Sequence, residues 1–220
     1  GDVYKRQVLN KLAKNPTDDT NTLIIVPTRE LALQIDQSLQ GFSYFTSVSS
    51  LPIYGGGDGG AFEQEKRALI NGANIIIATP GRLMSHLNMG YVKFNKLQHL
   101  ILDEADRMLD MGFIDDIIKI TSHLPKKRQT LMFSATMAPK IRALANKLLV
   151  KPEQINIALA KPAEGVTQGA YLVYDGQKNR LIKDLLKGKE LTSVIIFVST
   201  KSKVKDLERD LIKADLKAKA

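Results

Sequence analysis

The sequence predicts an α/β protein built on a parallel sheet flanked by helices, and three observations carry that prediction. Short β-branched apolar runs recur along the chain, they are continuous rather than alternating, and segments with helical spacing separate them. Continuous runs belong to strands buried on both faces, as in a parallel sheet covered by helices. Regular alternation of strand and helix is the α/β signature.

The predicted strands are "TLIIVP" (22–27), "NIIIATP" (74–80), "QHLILDE" (98–104), "QTLMFSAT" (129–136) and "SVIIFVST" (193–200). The helical segments are "RELALQIDQSLQGF" with a stop at Gly41, "AFEQEKRALINGA" with a stop at Gly72, "FIDDIIKITSHL" ended by Pro125, and "APKIRALANKLLVKP" ended by Pro152. In "LAKPAEGV", Pro162 and Gly165 interrupt any period. Residues 1–158 therefore read as one domain, 159–166 as a linker and 167–220 as the opening of a second. There "TQGAYLVY" reads as a strand, "KNRLIKDLLKG" as a helix, "SVIIFVST" as a buried strand and "KSKVKDLERDLIKADLK" as a charged amphipathic helix. So few elements do not close a sheet core, so this second domain is expected to be cut short.

At 220 residues, 44% apolar and 25% charged, the composition is globular. A net charge of +9 suits a polyanionic partner and equally suits a merely basic soluble surface. The absence of cysteine excludes disulfides, thiolate metal sites and a thiol nucleophile, and fits a reducing compartment. No run approaches the roughly 18 apolar residues of a membrane span, and no secretory h-region opens the chain. Cytosol is the default location. His86, His99 and His123 lack metal-ligand spacing and read as structural or surface residues; Lys126 to Arg128 read as a solvated loop.

The chemistry gathers where strands end. "LILDEADRML" (100–109) places Asp103, Glu104 and Asp106 at a strand's carboxyl end, where open α/β sheets bind ligands. Oxygen ligands there suit Mg²⁺ carried by a nucleotide, since Mg²⁺ takes only one or two protein carboxylates. In phosphoryl transfer a neighbouring group then orients or deprotonates the attacking water. The competing reading is helix capping, with Asp103 as an N-cap and the other acids at the positive helix end. No G-x-x-x-x-G-K-[ST] loop accompanies the acids: Gly188-Lys189 is followed by Glu190, and Lys183 stands where the first glycine belongs. Gly55, Gly57 and Gly60 satisfy G-x-G-x-x-G, but the next strand ends in Ala78-Thr79-Pro80 without the acid a dinucleotide site requires.

"VPTREL" and "ATPGRL" each put a Thr, a Pro and an Arg where a strand hands over to a helix. Free helix amides beside a cation make phosphate-binding corners, and two corners with Gly55-Gly56 between them suit successive phosphates of one strand. Each corner taken singly is also ordinary helix punctuation.

In order the chain reads "PTRELA", "GG", "TPGR", "DEAD", "SAT" and "VIIFVSTK". This series, with the fuller text "LDEADRMLDMGF" and "QTLMFSATM", resembles the DEAD-box RNA helicase family over almost all of residues 20–210. The resemblance implies two recombinase-like domains, with ATP between them and RNA lying across both. It implies that Asp103 coordinates Mg²⁺ through water and Glu104 polarises the hydrolytic water. It further implies that Asp106, Ser134 and Thr136 link that site to the RNA face. Pro27, Thr28, Arg29, Gly55, Gly56, Thr79, Pro80, Gly81 and Arg82 would hold the RNA backbone without choosing sequence, and Phe197, Ser199 and Thr200 would begin the second domain's phosphate-contacting surface. The implied function is an RNA-dependent ATPase that unwinds duplexes locally. The family's phosphate loop and adenine-reading glutamine belong upstream of Pro27 and its arginine fingers downstream. Hence the chain is expected to be the middle of a helicase and, alone, to hydrolyse essentially nothing. Gly1 to Gln7, "GDVYKRQ", reads as a tag, a junction or a sequencing artefact. Two alternatives remain: a catalytically dead module that binds RNA or a partner, and a translocase on the same fold acting on DNA.

Overall fold

Four of the predicted runs become strands of a single sheet: β1 (Thr22–Ile25), β3 (Ile75–Ala78), β4 (His99–Leu102) and β5 (Gln129–Met132). A further strand, β2 (Ser50–Ile53), completes the order β2-β3-β1-β4-β5, and every pairing is parallel. This computed structural model describes residues 2–56, 59–157, 165–189 and 191–220, and the chain divides into two compact units, Gly1–Ile155 and Asn156–Ala220. Of the expected linker, residues 159–164 lie outside the described residues.

The strands β1, β3 and β4 are buried at every position, as continuous apolar runs require. At the edges β2 and β5 are partly exposed. No apolar run announced β2, because "SLPI" carries Pro52, which lacks a ladder donor and is tolerated only where one side of a strand has no partner.

Alternation along the strands sorts the core into two layers. On one face Leu23, Ile25, Ile76, Leu100 and Leu102 pack with α4 (Pro80–Asn88) and α6 (Ile114–Ser122). On the other, Ile24, Val26, Ile75, Ile77 and Ile101 pack with α1 (Asp2–Lys14) and α2 (Arg29–Ser43). The remaining helices of this unit are α3 (Gly59–Asn71), α5 (Ala105–Asp110) and α7 (Pro139–Leu148).

Three expectations are corrected. Residues 2–7 are the first part of α1 and belong to the fold: Tyr4, Val8 and Leu12 recur at four-residue spacing on one helix face and are buried. Gly41 does not stop α2, which runs to Ser43; a glycine near a helix end costs only about 1 kcal/mol. Gly72 does stop α3, with φ +89° and a carbonyl, Asp18 O, only 2.8 Å from where a Cβ would sit.

The third correction concerns the second unit. Its helices form as expected, α8 (Lys178–Leu186) after a 3₁₀ turn at Asp175–Gln177, and α9 (Lys201–Ile212). The runs 167–174 and 193–200, however, form no strand, and Leu172, Ile195 and Phe197 stand exposed. An apolar run becomes a strand only when a neighbour accepts its backbone hydrogen bonds, and neither run has one among the described residues.

Candidate functional site

Because all five strands are parallel, their carboxyl ends lie on one edge, and every motif residue of the first unit sits there. Along that edge follow Gly55-Gly56 after β2, Thr79 to Arg82 after β3, Pro27 to Arg29 after β1, Asp103 to Asp106 after β4, and Ser134 to Thr136 after β5. Neighbouring strands lie about 4.8 Å apart, so the acids and the two threonine-arginine corners share one continuous rim.

The acidic half is knit together by hydrogen bonds. Asp103 Oδ1 accepts from the Glu104 N–H at 3.0 Å, and Asp103 Oδ2 accepts from the Tyr4 hydroxyl at 3.0 Å. The Tyr4 ring stacks on Phe133, with centroids 5.3 Å apart. Glu104 holds a left-handed backbone, φ 51° and ψ 51°, at the N-cap of α5, and its side chain makes no capping bond. The N-cap position is thus held by Glu104 rather than Asp103 and its side chain does not cap, whereas Asp106 does lie in the first turn of α5 and accepts from the Arg107 N–H at 3.1 Å. A non-glycine residue in this region costs of order 1–3 kcal/mol and persists where its surroundings enforce it. Glu104 Oε2 instead meets Arg107 Nη1 at 3.3 Å. Asp106 Oδ2 accepts from the Thr136 N–H at 3.1 Å and the Thr136 hydroxyl at 3.2 Å, and the Ser134 hydroxyl donates to Thr136 O at 2.7 Å. Asp106, Ser134 and Thr136 thus form one chain of contacts beside Asp103 and Glu104.

The other half consists of helix starts. Thr28 caps α2, its Oγ1 accepting from the Leu31 N–H at 3.2 Å, and the Arg29 guanidinium lies over the Tyr54 ring at 4.7 Å. Thr79 precedes Pro80 at the start of α4, and its side chain makes no cap bond. Gly56 has φ +92°, and a Cβ at Gly55 or Gly56 would meet nothing within 4 Å, so this turn leaves its rim open. Arg82 turns inward: its Nε donates to Glu65 Oε2 at 2.7 Å and its guanidinium lies 4.5 Å from the Phe62 ring centroid. His86, fully buried, also reaches Glu65 Oε2, at 2.8 Å, and contacts the Tyr91 hydroxyl through Nδ1. Tyr91 has its pKa raised, chiefly by burial and then by Glu63 and Glu65, with Arg82 opposing.

Phe197, Ser199 and Thr200 belong to the second unit, where Phe197 is exposed and Thr200 caps α9 through the Lys203 N–H at 3.3 Å. Sequence reasoning missed Tyr4, Glu65 and Phe62 as neighbours of the motif residues. The signal that could have found Glu65 is that Arg82 and His86, four apart on α4, share a helix face.

Among the described residues no cluster of three or more His, Asp or Glu side chains is arranged to hold a metal. The carboxylates of Asp103 and Glu104, adjacent at one strand tip, are hard oxygen donors of the kind that suit a cation keeping most of its own oxygen ligands, as Mg²⁺ does.

An all-parallel sheet covered on both faces, with acids at the tip of a strand beside the central one, defines a RecA-like α/β domain. Comparison of the sequence then places it more narrowly. The chain belongs to the DEAD/DEAH box helicase family, whose model matches residues 2–144 and so takes in residues 2–7 as well. It is 39% identical over 190 residues to DEAD-box ATP-dependent RNA helicase CshA of Geobacillus kaustophilus, covering 86% of this chain and 40% of that protein. It is 40% identical over 182 residues to ATP-dependent RNA helicase DeaD of Buchnera aphidicola, covering 82% of this chain and 30% of the relative. To DEAD-box ATP-dependent RNA helicase 14 of Arabidopsis thaliana it is 39% identical over 215 residues, 96% of this chain and 34% of the relative. The chain thus spans well under half the length of these relatives. No described helix is long and apolar enough to cross a membrane.

Proposed function

We propose that this chain is the ATP-handling and RNA-gripping part of an ATP-dependent RNA helicase of the DEAD-box type, which opens duplexes locally. The observation that supports this most is the convergence of five motif segments on one edge of one sheet. In this reading residues 1–158 form the first helicase domain and 167–220 begin the second. Asp103 would hold Mg²⁺ through water, its carboxylate kept in place by Tyr4 and the Glu104 amide. The magnesium nucleotide supplies the phosphoanhydride to be cleaved and a cation that neutralises its charge. Glu104 would polarise the attacking water; among the described residues its carboxylate meets the exposed Arg107 guanidinium at 3.3 Å. Asp106, Ser134 and Thr136 carry changes at that water toward the RNA side, because moving Asp106 must move Thr136.

Pro27, Thr28, Arg29, Gly55, Gly56, Thr79, Pro80, Gly81 and Arg82 take the sugar-phosphate chain, and Phe197, Ser199 and Thr200 begin the second unit's own phosphate-contacting surface. Backbone contacts give affinity without sequence choice and weaken with salt. The test is the anisotropy of a labelled single-stranded RNA titrated with the chain across a salt series, beside DNA of the same sequence. Salt-dependent binding that favours RNA is expected, with Arg29→Gln lowering the slope by about 0.7, one single-strand phosphate. A preference for DNA would favour a translocase on the same fold, and RNA binding indifferent to nucleotide would favour a binding module.

A further inference from the structure

Arg82 does not reach the rim as a free cation. Its Nε is tied to Glu65 on α3, its plane lies over Phe62, and Phe62 in turn stacks on His86 with centroids 4.2 Å apart and 13° between planes. A carboxylate only accepts, so His86 Nε2 donates to Glu65, and Nδ1 contacts the Tyr91 hydroxyl. Glu65 and Arg82 side chains are 11% and 14% exposed, so solvent does little to loosen the pair. The guanidinium is nevertheless only partly satisfied, since Arg82 Nη2 is buried with no hydrogen-bond partner among the described residues. An unpaired buried donor is costly and calls for an explanation.

From this arrangement we infer that Glu65, with Phe62 beneath the guanidinium, is a positioning residue that presets Arg82 for a phosphate of the RNA backbone; the inference rests on the reading of this edge as an RNA site. The Nε–H of the fork is spent on holding the side chain, and the Nη2 donor, buried without a partner among the described residues, is left unmet until the site takes a ligand. Freezing a long side chain in advance removes an ordering cost that binding would otherwise meet. The geometry sets this against a simpler electrostatic expectation. A carboxylate beside a polyanion site repels the ligand, so deleting it should tighten binding if it had no positioning role.

The experiment is a double-mutant cycle read by anisotropy with a labelled oligouridine RNA, using the 220-residue chain. Glu65→Gln should weaken binding about threefold to tenfold in the wild-type background and have no effect, or a slightly favourable one, in the Arg82→Gln background. Phe62→Leu, which leaves the ion pair intact, should behave the same way and carries the test if Glu65→Gln does not fold; Arg82→Lys replaces Arg82→Gln as background if that variant does not fold. Combined with Arg29→Gln, at the other corner, the loss from Glu65→Gln should simply add. Tighter binding by Glu65→Gln, or equal losses with and without Arg82, overturns the inference alone. Failure of the wild-type chain to bind RNA overturns the reading of the site and this inference with it.

Discussion

The two halves of the sheet edge hold their charges in opposite ways. At β4 and β5 the acids are half-buried, each acid is met by a backbone amide, a hydroxyl or an exposed arginine, and Glu104 sits in a strained left-handed turn. At β3 the charge is locked away: Arg82 is paired with a buried carboxylate that a buried histidine also contacts. The acidic half is built from contacts cheap to exchange, the arginine half from contacts expensive to break. A site that must trade partners during a reaction and a site that must present a fixed grip have these two different requirements.

The largest expected effect falls on the acidic half and on chemistry rather than stability. In the whole protein, Glu104→Gln should lower RNA-stimulated ATP turnover by about 10²-fold or more, with the urea midpoint nearly unchanged. Turnover that survives would remove Glu104 from the water-polarising role. Next comes stability on the arginine side. Arg82→Ala, which strands the buried Glu65 carboxylate, should cost about 3 kcal/mol in urea unfolding, against about 1 kcal/mol for Asp106→Ala. Equal costs would erase the contrast between the halves.

Smaller effects refine it. Glu104→Gly should raise stability by about 1 kcal/mol by relieving the left-handed turn, the mark of a residue kept for function at the expense of the fold. Tyr4→Phe keeps the stack on Phe133 and loses only the bond to Asp103, and should cost about 1 kcal/mol by the same measurement. The smallest effect belongs to the opposite edge. Burial, and then Lys11, hold the His99 pKa below its usual value of 6.5, with Gln129 partly opposing. The unfolded chain therefore binds that proton more readily than the folded one. Stability should be intact above pH 6.5, fall as pH drops below it, and level off beneath the folded-state value, a dependence that His99→Gln should flatten in thermal melts.

Most of the sheet was legible because burial on two faces leaves an unmistakable mark: "LIIV", "IIIA" and "LIL" are apolar at every position. The edge strand β2 was not, since an edge needs no such run. "SVIIFVST" has the same mark as "NIIIATP" and yet stays exposed as coil, because a ladder is a property of two strands and sequence pattern reports only one. The site's motif residues were found through strand ends, whereas Tyr4 and Glu65 were not. Their partners lie 99 and 17 residues away, and only the packing of α1 and of α3 brings them together.

The central claim is that one sheet edge divides its labour between a magnesium nucleotide and an RNA strand. Amide ¹⁵N spectra of the chain, titrated first with Mg-ATP and then with oligouridine, test this most directly. The nucleotide should shift Asp103, Glu104, Ala105 and Ser134, and the RNA should shift Thr28, Gly55, Gly56, Thr79 and Gly81. Shifts centred instead on the amino edge, at Thr22, Asn74, His99 and Gln129, would contradict the account.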